Sequence, residues 1–497
     1  MNVGALDQVL LVGAVVVLLA ILAVRGSVFL GLPSLLAYLG MGLILGEAVI
    51  GLRFDDPSTA HALGFAALAV ILAEGGLTTR WSEVRPSIGV GLTLATVGVV
   101  ISTAVVGAVV HLVLGVNWRT AFLLGAVVSP TDAAAVFTVL RRVPLRSTVR
   151  GALESESGLN DAVAVILVTL LTSGLSHSAG VMVGLVCYEL VGGIVFGALV
   201  GAGGVWLLRR VALPVTGLYP ASVLAIAILS YAGGAAIHAS GFAAIYVTAL
   251  VLGNGELPHR LATRSFAEGF AWLAQIGLFV MLGLITSPQS FRLEHLVGGV
   301  VAGAVVTLVA RPVSVAICTI PFRVPWRSQS FLSVAGLRGA VPIVLATVPL
   351  AAHATGSRNL FNVVFVLVVV LTLVQGPALP RVAGRLRVLV ERSREVDVDA
   401  APLEGLAADL LHVHVTAGSL LHGVEVGELR LPRGVSISLV VREGTSFTPG
   451  PGTPIRHGDD LLVVTPRRLR EAAENRLQEI SRGGRLAGWL RVVPPPD

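Results

Sequence analysis

The sequence predicts an all-α polytopic membrane protein that ends in a small α+β domain, and three features point there. Apolar residues make up 55% of the 497 positions against 13% charged, and the mean hydropathy is +0.86, too apolar for most of the chain to stay in water. Segments of the roughly 20 apolar residues that a bilayer crossing needs follow one another from 6 to 379. At 381 the composition turns abruptly to arginine- and acid-rich sequence.

The apolar part divides into about 13 expected transmembrane helices, at 6–24, 28–50, 61–78, 87–114, 119–140, 149–174, 181–208, 218–235, 238–253, 264–286, 294–318, 329–352 and 359–379. Only Asp7 is charged before Arg25, so the first run reads as a membrane helix and not as a cleaved signal. With the N-terminus outside, one set of loops gathers Arg25, Arg80, Arg85, Arg141, Arg142, Arg146, Arg150, Arg209, Arg210, Arg260, Arg264, Arg323 and Arg327. The other set holds only Arg53, Arg119, Arg292 and Arg358. The positive-inside rule makes the first set cytoplasmic, and an odd helix count puts the C-terminus there too. The turn at 233–240 is critical, because reading through it would invert everything downstream.

The net charge of +6 does not indicate a nucleic-acid binder, since the arginines are scattered between apolar runs instead of lining one face; lysine is absent altogether. Cys187 and Cys318 both lie in apolar runs, which argues against a disulfide framework or a thiolate metal site.

The expected domains are 1–380 in the membrane, a linker at 381–402, a soluble domain at 403–482 and a tail at 483–497 that reads as disordered. Alternating runs at 410–415, 435–441 and 459–464, the turn Pro449-Gly450-Pro451-Gly452 and a polar helix at 466–480 make the soluble part α+β.

Ionisable residues inside membrane helices are costly, so each is a candidate for function. Ser129-Pro130-Thr131-Asp132 falls in the middle of the fifth helix, where proline removes a donor and disfavours helix before it. A break there exposes backbone dipoles to an ion or to Asp132. The sixth helix carries Glu154-Ser155-Glu156-Ser157-Gly158-Leu159-Asn160-Asp161, which sets Ser157 and Asp161 one turn apart on one face with Asn160 beside them. Oxygen ligands suit a hard monovalent cation, and protons compete for a carboxylate in a poorly hydrated cavity. The twelfth helix contains Ala335-Gly336-Leu337-Arg338-Gly339-Ala340-Val341-Pro342, a second glycine- and proline-interrupted segment. Matching breaks point to inverted repeats, helices four to six pairing with eleven to thirteen, with a site at their interface. Arg338 needs a buried anion, and Glu156 is the expected partner in a structural ion pair. Glu74, near the end of the third helix, either completes the ion site or snorkels to the interface. Arg311 either neutralises dipole ends at a broken helix or snorkels. Histidines 61, 111, 177 and 353 lack metal-ligand spacing.

Taken in order, the segments 129–132, 156–161 and 336–342 resemble the monovalent cation/proton antiporter-1 family, the NhaP-like sodium or potassium/proton exchangers, over about residues 6–380. The resemblance implies a homodimer in the cell inner membrane that works by elevator-like alternating access. By position, Asp161 corresponds to the cation- and proton-binding carboxylate, Ser157 and Glu74 to further oxygen ligands, and Thr131 to a ligand through its backbone carbonyl. Asp132 corresponds to the acid at the helix break, and Glu156 with Arg338 to the family's ion pair. Asn160 stands where electrogenic relatives tend to have a second aspartate, so one titrating carboxylate and electroneutral exchange are expected.

The segments 418–423, 427–434, 441–444 and 457–464 resemble an RCK-C (TrkA-C) domain. That implies regulation, with a small ligand such as cyclic di-AMP as one candidate and no other cofactor. It favours potassium over sodium as the cation exchanged for protons. No glycine-rich dinucleotide fingerprint follows a strand. A regulated cation channel is disfavoured because no Thr-Val-Gly-Tyr-Gly filter occurs, and an enzyme because no nucleophile elbow or histidine pair does.

Overall fold

The computed structural model describes residues 3–30, 34–48, 51, 54, 56–132, 136, 145–173, 179–211, 213–389, 397–402 and 408–484. It consists of two compact units, Met1–Leu389 and Val390–Asp497.

The first unit is a helical bundle. Its helices are α1 (Val3–Leu30), α2 (Ser34–Leu43), α3 (Pro57–Thr78), α4 (Trp81–Leu114), α5 (Trp118–Val128), α6 (Ser147–Ser173) and α7 (Ala179–Arg210). They continue with α8 (Leu218–Ala236), α9 (Gly241–Asn254), α10 (Arg260–Leu284), α11 (Leu293–Phe322), α12 (Trp326–Val334), α13 (Val341–Ala351) and α14 (Ser357–Arg385). Among the described residues eight helices are long and apolar enough to cross a membrane, joined by five shorter apolar ones. Outward-facing leucines such as Leu199, 67% exposed, and Leu308, 73% exposed, fit a lipid-facing surface.

Local chemistry sets the element ends. Asp56 caps α3, its carboxylate accepting from the Ser58 amide at 3.0 Å, with Pro57 in the first turn where its missing N–H costs nothing. The turn after α8 places His238 at φ 55° before Ser240 caps α9, so the break at 233–240 exists and the two segments are separate helices.

Both expected interruptions are present. Helix α5 stops at Val128 and Ser129–Asp132 is non-helical; the remainder of the expected 119–140 segment lies largely outside the described residues. The expected 329–352 helix is split into α12 and α13 by the non-helical stretch 335–340. The repeat correspondence extends to their neighbours: α4 and α11 each contain one π-turn, Leu94–Gly98 and Val306–Ala310. The two helices are joined by Ser102 and Ser314, whose hydroxyls meet at 2.8 Å.

The second unit is a five-stranded antiparallel sheet with one helix. Strands β1 (Asp397–Pro402), β2 (Ala408–His414), β3 (Ser436–Arg442), β4 (Thr445–Phe447) and β5 (Asp460–Pro466) lie in the order β1-β2-β5-β3-β4. Leu411 and Val413 of β2 and Leu461 and Val463 of β5 point inward at the alternate spacing a strand requires, and Leu477 and Ile480 of α15 (Arg470–Gly483) cover them. Two expectations change here. Residues 381–385 still belong to α14, and 397–402 form an edge strand, because Ala400 and Ala401 pair across to Leu411 and Leu410. The rest of the expected linker, 390–396, and the tail from 485 lie outside the described residues.

Candidate functional site

The site is built where the two interruptions cross. The Asp132 amide, freed from helical bonding by the break, donates to the Leu337 carbonyl of the other interruption at 2.9 Å. Glycine makes this approach possible: a Cβ on Gly339 would overlap the Asp132 carboxylate, and one on Gly336 would press on the Arg311 and Arg338 guanidiniums and on Thr131.

Helix α6 supplies the third side, and its 3.6-residue period presents three different faces. Arg150, Glu154, Ser157 and Asp161, at i, i+4, i+7 and i+11, line a cavity of about 270 Å³. Glu156 and Asn160 turn to the crossing: Glu156 accepts from the Thr131 hydroxyl at 3.1 Å, and the Asn160 amide donates to the Thr131 carbonyl and hydroxyl at 3.1 and 2.9 Å. Ser155 and Leu159 form a third stripe, facing an apolar groove.

The cavity joins four of the residues singled out in the sequence: Glu74 from α3, Asp132 from the break, and Ser157 and Asp161 from α6. Asp161 is buried, and its Oδ1 has no hydrogen-bond partner among the described residues. A buried anionic oxygen left bare costs several kcal/mol, so it calls for a proton or a cation. Thr131 and Asn160 are not on the cavity wall. They face each other behind it, and the Thr131 carbonyl expected to meet an ion is already bonded to the Asn160 amide. Tyr246 of α9 and Gln275 of α10 complete the wall and were not anticipated. Tyr246 leans on Gly158, where any Cβ would strike its ring. The Arg150-to-Asp161 spacing was readable as a stripe, whereas the tyrosine carried no local signal.

The expected ion pair of Glu156 with Arg338 is not formed. Glu156 pairs with Arg311 of α11, Nη2 donating to Oε2 at 2.8 Å and Nη1 bonding Oε1, while the Arg311 Nε donates to the Leu332 carbonyl at 3.2 Å. Arg338 instead donates from Nε to the Val128 carbonyl at 3.2 Å and from Nη1 to the Gly336 carbonyl. Val128 ends α5, so Arg338 lies at the negative pole of that half-helix. The two arginines have exchanged their expected roles. Arg311 directly follows the π-turn of the continuous helix α11 and aims its planar fork at a carboxylate on α6, while Arg338 sits in unwound backbone, bonded to two carbonyls with its Nη2 lacking a hydrogen-bond partner among the described residues.

Two unwound segments crossing beside a buried carboxylate, one of whose oxygens has no hydrogen-bond partner among the described residues, define the class of secondary carriers built on broken helices. Residues 14–384 match the family model for the transmembrane sodium/hydrogen exchanger, and the chain belongs to that family. Residues 410–478 match the TrkA-C domain. A protein of Shewanella sp. (strain ANA-3) named K(+)/H(+) antiporter NhaP2 is 34% identical over 484 residues, covering 96% of this chain and 84% of the relative. The K(+)/H(+) antiporter NhaP of Alkalimonas amylolytica is 33% identical, covering 93% and 81%. The fold is shared with the sodium proton antiporter MjNhaP1 of Methanocaldococcus jannaschii, with a TM-score of 0.65 and 20% identity over 77% of this chain and 99% of that one.

Proposed function

We propose that this chain exchanges one potassium ion for one proton by alternating access, electroneutrally, with Asp161 as the group for which the two ions compete. The observation that carries the proposal is the buried Asp161 Oδ1, without a hydrogen-bond partner among the described residues, on a cavity shared with Ser157, Glu74 and Asp132. Ionised, Asp161 takes a cation together with the Ser157 hydroxyl oxygen and the facing carboxylates; protonated, it releases the cation and crosses as the neutral form. Thr131 and Asn160 serve from behind by fixing the break against α6.

Charge balance favours the one-for-one ratio. Around the crossing, the guanidiniums of Arg311 and Arg338 stand against the carboxylates of Glu156, Asp132 and Asp161. With Asp161 as the one carboxylate that exchanges its ion, a bound cation and a bound proton each add one positive charge, so the two loaded states carry the same charge whatever the fixed charges around them, Glu74, Glu154 and Arg150 included. The two half-cycles then carry equal charge, and a full exchange moves no net charge across the membrane.

The names of the relatives favour potassium, and sodium is the alternative within the same family. The TrkA-C unit is proposed to regulate exchange through a small ligand such as cyclic di-AMP, in a homodimer whose N-terminus lies outside and C-terminus in the cytoplasm. In proteoliposomes, dequenching of a pH dye on adding potassium, sodium or rubidium reads the exchange. Asp161→Asn is expected to abolish it, and retained exchange would refute the site. Rates that follow a clamped membrane potential would refute electroneutrality.

A further inference from the structure

A second cavity, of about 680 Å³, lies between α4 and α7 and shares only Tyr246 with the wall of the Asp161 cavity. One wall is a stripe of α4, Trp81, Val84, Ile88 and Leu92, and the other is α7 at Ile194 and Val205. Its floor is the third face of the Asp161 helix, Ser155 and Leu159, together with Tyr246 and Leu250 of α9. The lining is almost wholly apolar. Trp81 to Leu92 is eleven residues, about 16 Å of helix rise, and so about half the roughly 30 Å hydrocarbon core, or one leaflet.

The two ends differ in chemistry. The deep end, at Leu92, Ile194 and Leu159, carries no charge. The other ends at Trp81 and Gly255, where the chain leaves the helices and the charged groups begin. Arg80 precedes Trp81 and is 63% exposed, and Arg209, one turn beyond Val205, is 47% exposed. Arg264 feels the charges of both Arg80 and Arg260, and its Nε and Nη2 are buried without a hydrogen-bond partner among the described residues. Arg80 meets Glu83 at 3.4 Å and Arg209 meets Glu256 at 3.7 Å, exposed pairs weak enough for a phosphate to replace, while Arg264 and Arg260 leave the rim net positive. A tryptophan and arginines at the end of a leaflet-deep apolar groove match the layered chemistry of one lipid, acyl chain below and anionic phosphate above.

We propose that this groove binds one acyl chain of an anionic phospholipid, whose phosphate is held by Arg80 and Arg209, and that the bound lipid modulates the transporter. The coupling path is short. Tyr246 lines both the groove and the Asp161 cavity, and Leu159 lies two residues from Asp161 on the same helix. A chain seated there supports α6 and Tyr246 from the side opposite the ions.

Lipid extracted from the purified full-length protein, and native mass spectra after titration with phosphatidylglycerol or phosphatidylcholine, read the binding without reference to transport. Wild type is expected to retain about one phosphatidylglycerol per chain, and Ile88→Trp, which fills the groove, to retain none. Arg80→Gln and Arg209→Gln should each weaken phosphatidylglycerol binding roughly fivefold and leave phosphatidylcholine unchanged. These two exposed substitutions keep the test open if Ile88→Trp fails to fold. Equal affinity for the two lipids in wild type would overturn the phosphate site, and unchanged occupancy in a folded Ile88→Trp would overturn the groove. Exchange in phosphatidylglycerol-containing vesicles should exceed that in pure phosphatidylcholine for wild type but not for Ile88→Trp; the same lipid response in both would overturn the modulation. Because binding and flux are read separately, failure of the exchanger assignment would leave the lipid result standing.

Discussion

Arg311 grips Glu156 at both carboxylate oxygens, with only 3% and 2% of the two side chains exposed. Such a pair contributes little net stability compared with apolar residues of the same shape, but losing one partner strands a charge in the interior. Arg311→Met is therefore expected to destabilise the membrane unit by about 3–5 kcal/mol. Glu156→Gln should cost less, since the amide still accepts a hydrogen bond. Combining the two should recover much of the loss, giving a strongly non-additive cycle. Thermal unfolding in detergent measures all three, and additive losses would show that the pair is not the coupled unit.

Arg338 predicts a different pattern. Its work is to satisfy the Val128 and Gly336 carbonyls and to set a positive charge at the end of α5, so Arg338→Gln should cost about 1–3 kcal/mol. Its loss should couple to Glu156→Gln far less than the loss of Arg311 does, through charge at a distance and no shared hydrogen bond. A cycle between Arg338 and Glu156 as large as that between Arg311 and Glu156 would restore the pairing first expected from the sequence.

The exchange of roles shows where sequence reading runs out. Pro130, and the Gly336, Gly339 and Pro342 group, declare their breaks locally, because backbone that cannot sustain a helix does so whatever surrounds it. The stripe from Arg150 to Asp161 is equally local, a consequence of helical period. The partner of Glu156 is not local: Arg311 and Arg338 are equivalent as charges, and only the path of α11 beside α6 decides between them. A usable clue was present, since Arg338 is next to Gly339 in backbone that must unwind and therefore offers it carbonyls, while Arg311 lies in a continuous helix. The apolar groove beside α6 and the placement of Tyr246 depend wholly on how helices distant in sequence pack. The short strand β4 and edge strand β1 carry too little signal: three residues make no pattern, and Asp397–Pro402 alternates weakly, with Val398, Ala400 and Pro402 at alternate positions and a terminal proline that disfavours a strand.

Gly339 tests the crossing itself. A methyl group there would overlap the Asp132 carboxylate, the end of a short side chain that can swing aside while the backbone stays. Gly339→Ala is thus expected to fold, with its thermal midpoint close to wild type, but to bind the cation about tenfold more weakly, equivalent to 1.4 kcal/mol. The concentration of potassium giving half-maximal dye dequenching reports this. An unchanged value would remove Asp132 from the cation site, and a collapse of thermal stability would mean that the backbone and not the carboxylate had moved.

The soluble unit carries its own buried ion pair, and its response to acid has a definite sign. Burial of Asp459 works against its ionisation, but the Arg442 guanidinium, donating from Nε and Nη2 at 2.8 Å each, and the Arg456 amide at 2.7 Å outweigh it and hold its pKa below the ordinary value. A carboxylate with a depressed folded-state pKa adds stability that is complete above its unfolded value of about 3.9 and disappears as pH falls through the lower folded value. Arg442→Leu removes the larger compensation and leaves burial to push Asp459 upward. The variant is expected to lose on the order of 2 kcal/mol at neutral pH, discounted because Arg442 is partly exposed. Its loss of sheet structure on acidification should begin at a higher pH than in wild type. Following the unfolding of this unit in the full-length protein by hydrogen exchange of the β3 and β5 amides across pH 3–7 separates it from the membrane helices. Coincident acid transitions in wild type and Arg442→Leu would show that Asp459 owes its ionisation to something other than Arg442.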